Sequence, residues 1–254
     1  MGAEKRDPYS YIQRTYREMA AQDCLVSSFV QIKDTDLHIL ADRDVSQEGE
    51  NLALHYRLQI EKYIELHPDF GTSLVPLRVD IFAPKIIKEM ASAAMLANVG
   101  PMAAVAGIIA AYVGRALIVN GCREVIVENG GDLFVQRLVD TTIAIFSGTS
   151  PLSLKVGLLL KKDLMPIGVC TSSGSVGHSL SFGTADSVTV VAPSAALADA
   201  AATRLGNEAG ETGGDSPIRR VLEISRTIKG VLGTVVIRGN KIGAVGDIEL
   251  VKLS

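Results

Sequence analysis

Residues 168–207 read GVCTSSGSVGHSLSFGTADSVTVVAPSAALADAAATRLGN, a stretch that gathers hydroxyls, a thiol, a histidine and a helix carboxylate able to do chemistry. The apolar run Ile167 to Cys170 predicts a strand that enters Thr171-Ser172-Ser173-Gly174, where hydroxyls and a glycine suit a turn whose amides face an anion. His178 follows four residues later. Alternation predicts strands over Ser179 to Phe182 and Ser187 to Val191, after which Pro193-Ser194 opens an alanine-rich helix carrying Asp199 and Thr203. Residues four apart share a helix face, so this pair offers a carboxylate and a hydroxyl side by side, the oxygen chemistry that Mg²⁺ prefers. By spacing alone the pair is a polar stripe, with Thr203 bonded back to a carbonyl. Against that reading, an unpaired buried carboxylate costs on the order of several kcal/mol, so an Asp among apolar neighbours asks for a partner.

Working outward, residues 84–118 are the most apolar part of the chain and predict two helices, Pro84 to Ala97 and, after Gly100-Pro101, a second reaching Leu117. The second has nearly the length of a membrane span, but it is short, alanine-rich and opened by proline, and it is read as a buried core helix. Strands follow at Glu124 to Val127 and Leu133 to Leu138, turning at Asn129-Gly130-Gly131-Asp132, and again at Thr141 to Phe146 and Leu154 to Leu160. Helices followed by a meander predict an α+β fold, antiparallel sheet packed on helices, with the whole of residues 1–254 as one domain. That order is expected to bring Asn129 to Asp132 and Gly168 to His178 near the start of the Asp199 helix.

The flanks are scaffold. Strands are expected over Cys24 to Ile32 and Leu37 to Leu40, and an amphipathic helix over Ser46 to Leu66 ends before Pro68. Beyond the Asp199 helix come a helix over Ile218 to Ile228, a hairpin of Leu232 to Arg238 with Lys241 to Val245 on Gly239-Asn240, and a closing strand from Ile248 to Leu253.

The chain has 254 residues, 47% of them hydrophobic, no Trp and a formal net charge of −3. It lacks the basic surplus that binding to DNA or RNA demands. The three cysteines, Cys24, Cys122 and Cys170, are widely separated with no C-x-x-C, which predicts reduced thiols rather than a zinc or iron–sulfur site. The first residues, MGAEKRDPYS, are polar and lack the apolar core of a signal peptide, so the expected location is the cytoplasm and no membrane partner is expected.

TSSG, the downstream His178, the strand and then S-A-A-L-A-D-A-A-A-T resemble, in order and spacing, the ApbE family of Mg²⁺-dependent FAD:protein FMN transferases. Asn129-Gly130-Gly131-Asp132 looks like that family's Gly-Gly-Asp turn, so the likeness covers roughly residues 101–207. More closely, the whole chain resembles an ApbE-like branch of archaea and some anaerobic bacteria, whose methanogen members look linked to making homocysteine from sulfide. The resemblance implies Mg²⁺ on Asp199 and Thr203, and His178 at the active site as the candidate catalytic acid or base. It implies a flavin or nucleotide, FAD foremost, held by Thr171, Ser172, Ser173, Gly174, Asn129, Gly130, Gly131 and Asp132. A protein acceptor or a sulfur-transfer partner would complete the system.

Four places read differently without the resemblance: Thr171 to Ser173 as turn residues only, Gly-Gly-Asp as a tight hairpin turn, His178 as a hydrogen-bonded structural residue, and Cys170 as a small buried hydrophobe. Under a sulfur-assimilation reading Cys170 is instead a nucleophile or sulfur carrier. The sequence also departs from the transferases, which carry a Lys-Gly pair before the Gly-Gly-Asp turn and a His-x-x-x-Pro-x-Thr-Gly run. Here those places read AAVAGIIAAYVG and GHSLSFG. Two functions follow: Mg²⁺-dependent binding or transfer at a flavin or nucleotide pyrophosphate, favoured by the Asp/Thr pair, and an accessory binding role, favoured by the missing groups.

Overall fold

A hairpin opens the described chain: β1 (Val26–Ile32) and β2 (Thr35–Ala41) pair antiparallel from Val26 opposite Ala41 to Ile32 opposite Thr35. The structure, a computed structural model, describes residues 25–173, 185–210 and 217–253. Helix α1 (Ser46–Leu66) spans the expected residues and presents Ala53, Ile60 and Tyr63 to the core. A short α2 (Pro68–Thr72) starts on the proline and is followed by α3 (Lys85–Ala97). Asn98 ends α3 in the left-handed region, at φ 57°, where its short polar side chain is tolerated. A 3₁₀ turn, Pro101–Ala104, then leads into α4 (Val105–Val119).

Strands β3 (Val125–Asn129) and β4 (Asp132–Gln136) form a two-residue hairpin on Gly130 and Gly131, whose φ values are 70° and 105°. Positive φ at both central residues is what a type I′ turn requires, and the Glu128 carboxylate accepts the Gly131 amide at 2.7 Å. The chain then leaves the growing sheet. β5 (Thr141–Ala144) and β6 (Val156–Leu160) pair with each other, and β7 (Ile167–Ser172) returns beside β4. After β8 (Ser187–Ala192) come α5 (Ala195–Glu208), α6 (Pro217–Ser225), β9 (Gly233–Arg238), β10 (Lys241–Gly246) and β11 (Glu249–Lys252).

The result is an antiparallel eight-stranded sheet in the order β1-β2-β3-β4-β7-β8-β9-β10, with a three-stranded sheet, β11-β6-β5, beside it. The α+β expectation of antiparallel sheet on helices holds. The uninterrupted meander does not: β5 and β6 belong to the smaller sheet, and β11 joins them instead of extending the last hairpin. The reason is that the large sheet has two apolar faces. One carries Val127, Phe134, Cys170 and Val190 into the core under the helices; the other carries Ile126, Val135, Val169, Val191 and Ile237, which Leu158 and Leu160 of β6 cover together with Ile145, just after β5.

Helix α4 is apolar almost all round, as a helix enclosed by protein should be. It lies against β3, β4, α1 and α5, and its Gly114 admits the Phe134 ring where a Cβ would stand 2.2 Å from a ring carbon. Among the described residues Pro101–Val119 is long and apolar enough to cross a membrane, but half of that window is buried inside the protein. Helix α5 begins where Pro193-Ser194 announces it, with the Ser194 hydroxyl accepting the Leu197 amide at 3.4 Å. Ala195 on its first turn is wedged between two glycines. A Cβ on Gly168 would lie 2.3 Å from the Ala195 Cα, and a Cβ on Gly107 would lie 2.3 Å from the Ala195 carbonyl oxygen. Strand β7, helix α5 and helix α4 therefore stack at backbone contact, which larger residues would prevent.

Candidate functional site

That stack brings the first turns of α4 and α5 onto the β3–β4 hairpin. Side chains alternate across a strand, so Asn129 on β3, Asp132 on β4, and Cys170 and Ser172 on β7 all point to the helix side of the large sheet. Asp132 stands directly opposite Cys170 in the register, and Asn129 opposite Asp132. Above them lies Asp199, 8% exposed, with Oδ2 accepting the Gly107 amide at 2.8 Å. The Ala106 amide also acts on this carboxylate, and the Ala106 carbonyl accepts Asn129 Nδ2 at 3.1 Å. The first peptides of α4 are thus gripped on both sides.

Burial and the Asp132 charge push the Asp199 carboxyl well above the ordinary carboxylate range, against the pull of the two amides. Cys170 is fully buried, its Sγ 3.4 Å from the Ala195 carbonyl oxygen, and burial followed by the charges of Asp132 and Asp199 raises its thiol well above the ordinary value. Cys122 and Cys170 are both free, as expected of reduced thiols. A thiol that resists ionising is a poor nucleophile, and the full burial of Cys170 fits its small-hydrophobe reading.

Thr203 follows Asp199 by one turn on α5, is half-buried, and its hydroxyl has no hydrogen-bond partner among the described residues. The back-bond to a carbonyl that a purely structural Thr would make is not there. Among the described residues no three His, Cys, Asp or Glu side chains form a ready metal cage. The donors do fit a hard divalent cation: two mutually repelling carboxylates and an unengaged hydroxyl are the oxygen set that Mg²⁺ takes when substrate phosphates and water complete its shell.

The TSSG stretch is less of a cradle than expected. Thr171 and Ser172 continue β7 rather than turning, because they pair with Thr189 and Val188 of β8. The Thr171 side chain faces the other side of the sheet, where its hydroxyl meets that of Thr189 at 2.9 Å. Ser173 Oγ donates to the Asp186 carbonyl at 2.7 Å, tying together the two ends of the connection between β7 and β8. Gly174 and His178 lie outside the described residues, as does the strand expected at Ser179 to Phe182. Ser172 alone of the three hydroxyls shares a face with Asp132 and Cys170. Gly130 and Gly131 make the hairpin turn itself.

The contribution that sequence reasoning did not find is that of the α4 amides. Gly107 is 92 residues from Asp199, and its one visible signal is a glycine in the first turn of a helix with no capping side chain of its own.

The profile of the family described as AbpE bacteria matches residues 17–229. The chain belongs to that family. UPF0280 proteins are its curated relatives: one from Methanococcus maripaludis is 44% identical over 88% of this chain and 92% of its own length. Another, from Methanocaldococcus jannaschii, is 42% identical over 87% of this chain and 91% of its own. The AbpE-family fold is also that of solved structures. The flavin transferase ApbE from Vibrio cholerae superposes with a TM-score of 0.53 over 87% of this chain and 96% of that one, at 15% identity. The ApbE protein of Thermotoga maritima gives 0.52 over 86% and 96%, at 14% identity.

Proposed function

We propose that this protein binds the pyrophosphate of a flavin or nucleotide, FAD foremost, through a divalent cation held by Asp199, Thr203 and the neighbouring Asp132. The observation that carries the reading is Asp199: a buried carboxylate set beside a second carboxylate is unfavourable by itself, and a divalent cation turns that repulsion into attraction. Bound there, Mg²⁺ would offset the negative charge of the phosphates and polarise the P–O bond that links them. The chain's own residues do the rest. The α4 amides of Ala106 and Gly107 orient Asp199, Asn129 holds the Ala106 carbonyl, and Ser172 offers a hydroxyl on the same face. We assign His178 the proton transfer and Gly174 a place at the phosphates, on the family resemblance.

A second reading is binding without transfer, as an accessory protein serving a flavin, nucleotide or sulfur-transfer partner. The absent Lys-Gly pair and His-x-x-x-Pro-x-Thr-Gly run favour it. Both readings put the protein in the cytoplasm, in keeping with free Cys122 and Cys170. Incubation of pure protein with FAD and Mg²⁺, followed by chromatography for AMP, separates them. AMP release that Asp199→Ala abolishes is expected for transfer or pyrophosphate cleavage. Calorimetric binding of FAD that requires Mn²⁺ or Mg²⁺, without AMP, supports the accessory role. No metal-dependent binding of FAD, ADP or any pyrophosphate would overturn both.

A further inference from the structure

Between α2 and α3 the sequence Leu77-Arg78-Val79-Asp80-Ile81 alternates apolar and charged residues as a half-buried strand does, yet it belongs to no sheet. Residues 76–80 contain no helix, turn or ladder, and the backbones of Leu77, Arg78 and Val79 exchange no hydrogen bond with the described residues. Val79 packs inward on the core. Around it stand large apolar side chains left in water: Leu74 is 78% exposed, Ile81 77% and Phe82 92%. Arg78 and Asp80 are exposed and neither forms an ion pair. An unpaired strand edge flanked by exposed apolar residues is a template for another chain.

We propose that this run pairs antiparallel with the same run of a second copy, across a two-fold axis at Val79. The charges choose the partner and the register. With the axis on Val79, Arg78 of each copy faces Asp80 of the other, and Leu77 faces Ile81, so every cross-strand pair is complementary. Moving the axis to Arg78 sets two guanidinium groups opposite each other. Pairing supplies the missing main-chain hydrogen bonds, and Leu74, Val75, Ile81 and Phe82 from both copies bring exposed apolar surface together at the two ends of the paired run. The interface is continuous with the candidate site's scaffold. Gly100, just before the 3₁₀ turn that leads into α4, lies against the Ser73 carbonyl so closely that a Cβ there would fall 1.8 Å from its oxygen.

Sedimentation velocity on the full chain at micromolar concentration tests the proposal. The wild type is expected to be a dimer. Arg78→Asp and Asp80→Arg, each alone, set like charges opposite and should weaken the dimer by more than about tenfold. An equimolar mixture of the two variants restores opposite charges at both contacts and should dimerise again. Melting curves confirm that each variant is folded; Asp80 also accepts the Phe82 amide through Oδ1, so Arg78→Asp is the cleaner of the two. A monomeric wild type, including one that instead binds lipid vesicles through this patch, overturns the proposal. So does a dimer unmoved by Arg78→Asp, or a mixture that stays monomeric.

Discussion

Helices α4 and α5 touch at Gly107 and Ala195, yet their N-termini are completed in different ways. α5 is capped by the residue before it, Ser194, through its own first-turn amide. α4 has no capping side chain at Ala104, and the amides of its first turn are met by Asp199, a residue of α5. A helix start leaves amides that need acceptors, and either arrangement provides one. The local cap serves one helix. The remote cap ties α4 to α5 and holds a carboxylate at the positive end of α4, beside Asp132.

Breaking the contact itself should have the largest effect. Gly107→Leu drives a side chain into the Ala195 backbone, which cannot yield without parting the helices, and a loss of roughly 3 kcal/mol or more is expected in urea unfolding. Next comes the remote cap. Asp199→Ala strips the Gly107 and Ala106 amides of their acceptor at a cost of about 1–3 kcal/mol, offset in part by relief of the repulsion from Asp132. Asp199→Asn keeps an acceptor and should lose less. In Mn²⁺ titrations both variants should lose affinity, while Thr203→Ala should weaken it less, since a neutral hydroxyl contributes less than an anion. An Asn variant that binds Mn²⁺ like the wild type would show that Asp199 is a cap and nothing more. Ser194→Ala should cost about 0.5–1 kcal/mol, at the low end for a cap because its hydrogen bond is long, and leave Mn²⁺ affinity unchanged.

The smallest expected effect is at the other end of α5. Burial tends to raise the Glu208 carboxyl, but hydrogen bonds and charge from Arg220 and Arg204 outweigh it and hold the group below its ordinary range. A depressed carboxylate stabilises the fold above its unfolded pKa, and that contribution is lost as pH falls through the folded value. Thermal melts should therefore show Glu208→Gln less stable than wild type at neutral pH, with the gap closing in acid. A gap that does not depend on pH would mean that shape rather than charge joins α5 to α6.

Much of this molecule was open to a reader of residues alone. Pro193-Ser194 announced α5, Ser46 to Leu66 were bounded as α1, and Asn129-Gly130-Gly131-Asp132 was recognised as a turn, because caps, helical spacing and paired glycines act over a few residues. The same is true of Asp199 and Thr203, whose spacing of four sets them on one helix face wherever that helix lies. Other features depended on which strands met. Thr171 looked like part of a loop because hydroxyls and glycine favour turns, but pairing with Thr189 kept it in β7 and turned its side chain away. Nor does periodicity distinguish a strand of the large sheet from one of the small sheet, since β6 and β7 are both short apolar runs.

From the sequence came the elements, their order and the chemistry they carry: a carboxylate and a hydroxyl one turn apart, a diglycine hairpin, and thiols with no partner in spacing. The tertiary structure alone decided that Asp199 would meet the amides of Gly107 and Ala106, that Asp132 would face both Asp199 and Cys170, and that Leu77 to Ile81 would be left without a ladder. Propensity and periodicity are set by neighbours along the chain, whereas charge coupling, desolvation and backbone pairing are set by neighbours in space. Here it was the glycines at 107 and 168 that let those neighbours close to contact.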